Sequence, residues 1–401
     1  MTTVTVCERD RLTIGGPTGL SEHQAAELAR LAPALPPGAV TWEHRAIRFG
    51  PFCGVLHAGG LTIEILPKVG DYGEGNTRGV LVAMLKMVGE LSPDTVGTAS
   101  LADQERHLLD VFILDFCARV NDLLRRGAIR RYEPQEENLT TVRGRIQLAE
   151  NTRRNPFDRS RLVCCYDELS PDNVHNRALK FVLGRLLAHA LGTGVKTAVN
   201  GLLRRLEEVA DRPCNAGDVE RLPFDRLTRP WQSTFARAAW LLRGLYPDVL
   251  AGKIAGVCLL FNMERLFEAF VGAVLRRQWR GSDATVVLQG SGLHFARASG
   301  GLAFGMRPDA TVIAADKQPV LIADAKWKRL NTQAVNAGVG RDDIYQMAAY
   351  AGRYRCRDLA LLYPSGDGVL PGQLESFAVS CSIRHHGLVP GVGSSGYHPR
   401  P

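Results

Sequence analysis

The chain has 401 residues, a formal net charge of +8 and 45% hydrophobic residues. That length suits two or three domains, and the apolar content supports buried cores, which excludes a disordered chain. No apolar run reaches the roughly 18 residues a membrane span needs, and the start MTTVTVCERDRL lacks the apolar stretch of a signal peptide, so the expectation is a cytoplasmic protein without a membrane partner. Arginine supplies most of the positive charge; its planar fork suits phosphate, although a GC-rich genome gives the same bias. Nine cysteines without a C-x-x-C pair argue against structural zinc and against a disulfide framework.

Residues 1–95 read as a β-rich, turn-rich domain. Val40 to Phe49 alternates, Phe52 to His57 follows a proline, and Leu61 to Leu66 (LTIEIL) stops at Pro67-Lys68. Glu64 inside that run predicts a polar strand face or a specific contact. The glycine-rich loop DYGEGN precedes a helix over Arg78 to Glu90. From 96 to 252 the texture is mainly helical, with a long amphipathic helix over Leu108 to Arg126, a strand or hairpin over Asn138 to Leu148, a loop over Tyr166 to Asn176, and helices over Arg177 to Leu191, Arg204 to Ala210 and Ser233 to Leu245. Arg143 and Arg145 flank Gly144, either as a solvated strand face or as a contact to phosphate or a partner. No G-x-x-x-x-G-K-[ST] phosphate loop is present, so the chain is not expected to hydrolyse nucleotide alone.

The segment 253–381 carries the chemistry. From Leu259 the chain reads LLFNMERLFEAFVGAVLRRQW, with Met263, Leu266, Phe267, Phe270, Val271, Val274 and Leu275 at helical spacing. Glu268 lies close to that stripe, where a carboxylate calls for a partner or a metal, whereas Glu264 reads as a solvated acid. Arg307-Pro308-Asp309 then opens a β-prone run, Ala310 to Ala315. Asp316-Lys317-Gln318-Pro319 has turn chemistry, and Val320 to Ala323 is a second strand ending in Asp324-Ala325-Lys326. Fifteen residues separate the two aspartates, so a hairpin sets Asp309 beside Asp324, and Lys326 faces the same side as Asp324 because strand side chains repeat every two residues. Two carboxylates and an ammonium at one point are what metal-dependent phosphodiester cleavage requires. The plain alternative is two strand-end acids and a solvated lysine, since D-x-K is a common tripeptide. A further helix over Asp342 to Tyr354, with Asp342 as its N-cap, puts Gln346 and Tyr350 on one face. The last twenty residues, 382–401, are rich in Gly, Pro and Ser and read as a flexible tail whose His385-His386 pair is incidental.

The order of helix with Glu268, strand with Asp309, strand with Asp324 and Lys326, and helix with Gln346 and Tyr350 resembles the PD-(D/E)xK nuclease superfamily, in its RecB-like branch. The resemblance implies a mixed α+β (α/β) chain: a β-rich N-terminal domain, a helical middle region, and a C-terminal nuclease fold with a central mixed sheet flanked by helices. It implies magnesium, with manganese as a possible substitute, held by Asp309, Asp324 and the carbonyl of Ala325. Lys326 is then catalytic, Glu268 a metal ligand or water-positioning acid, and Gln346 and Tyr350 orient the site. IEILPK (63–68), VRGRI (142–146), YDELSPDNVHNRALK (166–180), NMERLFEAFV (262–271), RPD, DAKW and DIYQMAAYA are similar to the McrC family. That similarity implies the endonuclease subunit of a modification-dependent restriction system. Its partner would be an McrB-like AAA+ GTPase hexamer, stimulated through the N-terminal region of this chain. Its substrate would be double-stranded, methylated DNA. Two other readings stay open: a GTPase activator with a vestigial nuclease site, and an autonomous RecB-like repair nuclease.

Overall fold

Leu61–Leu66 is buried along its whole length, and this explains how a six-residue strand can carry a glutamate. Leu61, Ile63 and Ile65 join Leu56, Ile47, Phe49 and Leu28 in one apolar cluster, while Thr62 and Glu64 point to the other face. Glu64 is fully buried there. Its carboxylate takes Arg78 Nη2 at 2.6 Å and Arg78 Nε at 3.2 Å from the helix Glu74–Met87, and the backbone N–H of Leu108 at 2.7 Å. The specific contact expected of Glu64 is therefore present.

The computed structural model describes residues 2–15, 19–58, 60–68, 74–91, 107–246, 256–290, 292–331, 334–364, 372–378 and 382–388. The chain divides into two compact units, residues 1–108 with 246–401, and residues 109–245. The boundaries anticipated near 95 and 252 both fall outside the described residues. The architecture is mixed α/β with several sheets.

In the first unit one sheet runs in the order Thr2–Cys7, Leu61–Leu66, Phe52–Ala58, Gly256–Asn262, the first pair parallel and the others antiparallel. A second, six-stranded sheet runs Thr285–Leu288, Ala310–Ile313, Pro319–Ala325, Asp358–Pro364, Ser382–Leu388, Gly372–Ala378. Its first two pairings and its last are antiparallel; the two between are parallel. The helix Met263–Gln278 packs on the Thr285–Leu288 and Pro319–Ala325 strands, and the helix Arg341–Tyr354 packs on Pro319–Ala325 and Asp358–Pro364. Met347 and Tyr350 of that helix meet Ile322, Leu359, Leu361 and Tyr363 from the strands.

The second unit holds the helices Thr193–Arg204, Val174–His189 and Gln232–Gly244, most of Leu108–Arg125, and a three-stranded sheet of Arg131–Leu139, Leu162–Ser170 and Arg145–Ile146. Asn173 caps the helix Val174–His189 by accepting from the N–H groups of His175 and Asn176.

Several elements differ from expectation. Val40 to Phe49 is a hairpin, Val40–Glu43 and Ala46–Phe49, reversed at Arg45, whose φ is +51°. Leu259 to Asn262 end a strand, and Asn262 caps the helix that begins at Met263. Tyr166 to Ser170 is strand rather than loop, because Arg131–Leu139 pairs with it. That polar strand, RYEPQEENL, has its apolar residues too sparse to reveal period two. The helix expected over Arg204 to Ala210 ends at Arg204. Asp342 is not an N-cap: Gly340 holds that position, and Asp342 lies in the first turn. Ser382–Leu388, expected in the tail, pairs in parallel with Asp358–Pro364, and residues 389–401 lie outside the described residues. Among the described residues no helix is long and apolar enough to cross a membrane.

Candidate active site

The hairpin places the acids. Ala310 pairs with Ala323, so Asp309 and Asp324 flank that pair on adjacent strands. Asp309 Oδ2 accepts the backbone N–H of Ala325 at 2.7 Å. Asp324 is 2% exposed. Burial raises the pKa of both acids, and for Asp309 the charge of Asp324 adds to burial and pushes it to about 7. Two adjacent buried carboxylates repel each other unless a cation stands between them.

Lys326 supplies one positive charge. Its Nζ lies 2.6 Å from Asp324 Oδ2 and donates to Gln346 Oε1 at 2.9 Å, with Asp343 Oδ1 at 3.9 Å. Burial works to lower the lysine pKa, but Asp324, Asp343 and Asp309 outweigh it and hold the group above its ordinary value. Gln346 Nε2 in turn donates to Tyr350 Oη at 2.9 Å, one helical turn on. Burial pushes the Tyr350 phenol up to about 12, so it stays neutral. Lys326, Gln346 and Tyr350 thus form one hydrogen-bonded chain running away from Asp324, with Tyr350 Oη as its last acceptor.

Glu268 approaches from the helix Met263–Gln278. Burial raises its pKa, and its charge raises that of Asp309. Its Oε2 accepts Gln289 Nε2 at 3.0 Å, and Gln289 Oε1 accepts Arg307 Nη2 at 2.5 Å. The Gln289 backbone N–H also donates to Asp309 O at 2.8 Å.

Gln289 lies in no motif of the sequence, and RPD and DIYQMAAYA, which begin with Arg307 and Asp343, assign neither of those two residues a role. Gln289 acquires its place because Leu288 pairs with Ala310. Asp343 receives Lys328 as well as Lys326 and accepts from Tyr363 Oη at 3.4 Å. Its one sequence signal is an acid in the first turn of a helix that follows D-x-K-x-K, where the helix dipole favours negative charge.

The donor set fits a hard divalent cation. Asp324 Oδ2 is buried and, although close to Lys326, has no aligned hydrogen-bond donor. Carboxylate oxygens and the Ala325 carbonyl are the ligand types such an ion takes. Among the described residues no three His, Cys, Asp or Glu side chains gather into a ready-made metal cage; Glu268 is held by Gln289 beside the two aspartates.

Comparison with known proteins places the chain. Residues 47–364 match the family model described as McrBC 5-methylcytosine restriction system component. The chain is 23% identical over 259 residues to the type IV methyl-directed restriction enzyme EcoKMcrBC of Escherichia coli strain K12, a match covering 61% of this chain and 72% of that protein. It resembles a chain in the refined half-complex of Thermococcus gammatolerans McrB AAA+ hexamers with bound McrC, with a TM-score of 0.75 at 18% identity, over 98% of this chain and 97% of that one. A second likeness, to the cryo-EM structure of the Thermococcus gammatolerans McrBC complex, has a TM-score of 0.54 at 20% identity, over 69% of this chain and 88% of the other. With the family model covering most of its length, the chain belongs to the McrBC 5-methylcytosine restriction system component family, as an McrC-type subunit.

Proposed function

We propose that the chain is the DNA endonuclease subunit of a modification-dependent restriction system, working in the cytoplasm with a hexameric McrB-like AAA+ GTPase whose turnover it stimulates. The substrate is double-stranded DNA marked by methylcytosine, and the segment 256–388 is a PD-(D/E)xK nuclease fold. The observation that carries the reading is the convergence of Asp309, Asp324 and Lys326 on adjacent strand ends, backed by Gln346 and Tyr350. The relatives in restriction systems and the likeness to an McrB-bound chain support the partner and the pathway.

Asp309, Asp324 and the Ala325 carbonyl would hold magnesium, for which manganese is a chemical substitute. When bound, the ion supplies a Lewis acid for the phosphate and an acidified water. The protein's own contribution is positional and electrostatic. Ala325 N–H fixes one Asp309 oxygen, so the other would be the one available to hold the ion. Lys326, whose pKa its neighbouring acids raise, would donate to a phosphate oxygen as negative charge develops there. Gln346 gives Lys326 a neutral acceptor and so directs the ammonium without cancelling its charge. Gln289 holds Glu268 where its carboxylate can orient a water.

The test is Asp324→Ala, assayed with the ring partner, GTP, magnesium and methylated duplex. Cutting is expected to vanish, while partner binding and stimulated GTP turnover stay at wild-type level. Cutting by Asp324→Ala at the wild-type rate would show that the site has been misassigned.

A further inference from the structure

A cleft of about 240 Å³ opens beside Lys328, lined by Glu8, Arg9, Lys68, Trp327, Lys328 and Arg329. Four cations from three separate stretches of chain meet there. Lys328 contacts Asp343, which in turn lies 3.9 Å from Lys326 Nζ, so the cleft adjoins the candidate active site. Two of the other cations sit in weak pairs. Arg9 meets Glu264 at 3.3 Å and Lys68 meets Asp10 at 2.9 Å, and the two cations are each more than half exposed. Such exposed pairs contribute little and give way readily to a better anion.

The cleft is also built, because its one acid is anchored. Glu8 is 2% exposed, and its Oε1 accepts Trp327 Nε1 at 2.6 Å and the Lys68 N–H at 3.2 Å. Its Oε2 is buried without a hydrogen-bond partner. Burial raises the Glu8 pKa, which weakens its repulsion of an incoming anion. Trp327 is clamped between this bond and the ring of Phe267, 5.2 Å away, so the wall is rigid.

We propose that this cleft holds a backbone phosphate of the DNA strand beside the one being cut, with Lys68 and Arg329 as the contacting cations and Glu8 at the wall. The inference rests on the nuclease reading and adds to it a register device. Phosphate contacts carry no sequence information, but they fix where the duplex lies and so which phosphodiester faces Asp309 and Asp324.

The test compares wild type with Lys68→Ala/Arg329→Ala, each in complex with the ring partner, on a fluorescent methylated duplex with calcium in place of magnesium. Each phosphate neutralised contributes about 0.9 to the slope of log affinity against log salt, so the double variant, which strips one phosphate of its cations, should lose roughly 0.9. Affinity should fall about tenfold or more, and in magnesium KM should rise while turnover at saturating DNA stays unchanged. A control pair elsewhere in the same unit, Arg30→Ala/Arg48→Ala, should leave the slope alone. If the double variant misfolds, Lys68→Gln is measured alone and should lose about half of that slope change. An unchanged slope and affinity overturn the inference. Wild type that neither binds nor cuts any duplex would instead defeat the nuclease reading itself.

Discussion

Lys326 meets a charged acceptor in Asp324 and a neutral one in Gln346, and the two have different consequences when removed. Gln346→Ala leaves the charge balance intact but frees the ammonium to swing, so cutting should fall by about tenfold to a hundredfold with little change in melting temperature. Gln346→Glu should be worse, because a fourth nearby carboxylate pulls the ammonium from the phosphate. Single-turnover rates check both; equal rates for wild type and Gln346→Ala would remove Gln346 from the site. Asp309 gives a pH prediction. Its pKa is raised in the fold to about 7, so without divalent cations its contribution to stability is full below about 4 and is lost as pH rises through 7. Asp309→Asn should therefore raise the melting temperature of the metal-free protein at pH 8, and magnesium should stabilise the wild type more than the variant. A metal-free Asp309→Asn protein melting below wild type at pH 8 would contradict this. At this scale the sequence was legible where the period was local: Asp324 and Lys326 two apart on a strand, Gln346 and Tyr350 four apart on a helix. Gln289 and Asp343 were not legible, since their partners are set by which strands pair.

The elements show why a polar residue can sit in an apolar run. Glu64 and Arg78 form a buried pair whose geometry is completed by the Leu108 N–H. Glu64→Ala takes away the carboxylate that meets buried Arg78 and accepts the Leu108 N–H, so it should destabilise the protein by about 3–5 kcal/mol. Denaturant unfolding checks this, and a loss under about 1 kcal/mol would mean that Arg78 finds water instead. The sequence announced Glu64 as an anomaly but gave no hint of its partner on a separate helix. Apolar periodicity found the helices at Leu108, Val174, Gln232 and Met263 within a few residues, because each buries a stripe. It failed for Arg131–Leu139, whose strand character comes from pairing with Leu162–Ser170 rather than from its own composition.

On the scale of the molecule, the segment that carries the candidate site is not closed on itself. The strand Gly256–Asn262, which leads into the Glu268 helix, pairs with Phe52–Ala58 about two hundred residues earlier, and no local pattern could announce that. Gly54 marks the approach: its φ is +143°, and a Cβ there would lie 1.9 Å from the Leu259 carbonyl oxygen. The Met263 N–H donates to Pro51 O at 3.0 Å, and Trp327 reaches Glu8 in the first strand's continuation. The N-terminal sheet therefore sets the start of the helix that carries Glu268 as well as one wall close to Lys326. A fragment of residues 253–401 would expose the edge of Gly256–Asn262 and strip Trp327 of its partner, so it should aggregate or melt without cooperativity, even though it contains every candidate catalytic residue. Gly54→Val in the full chain should weaken cutting through the same joint, because the clash is with backbone and cannot be relieved by a rotamer. Calorimetry on the fragment checks the claim: a single sharp transition with metal-dependent cutting would show that the nuclease segment folds alone and that the N-terminal sheet serves only the partner.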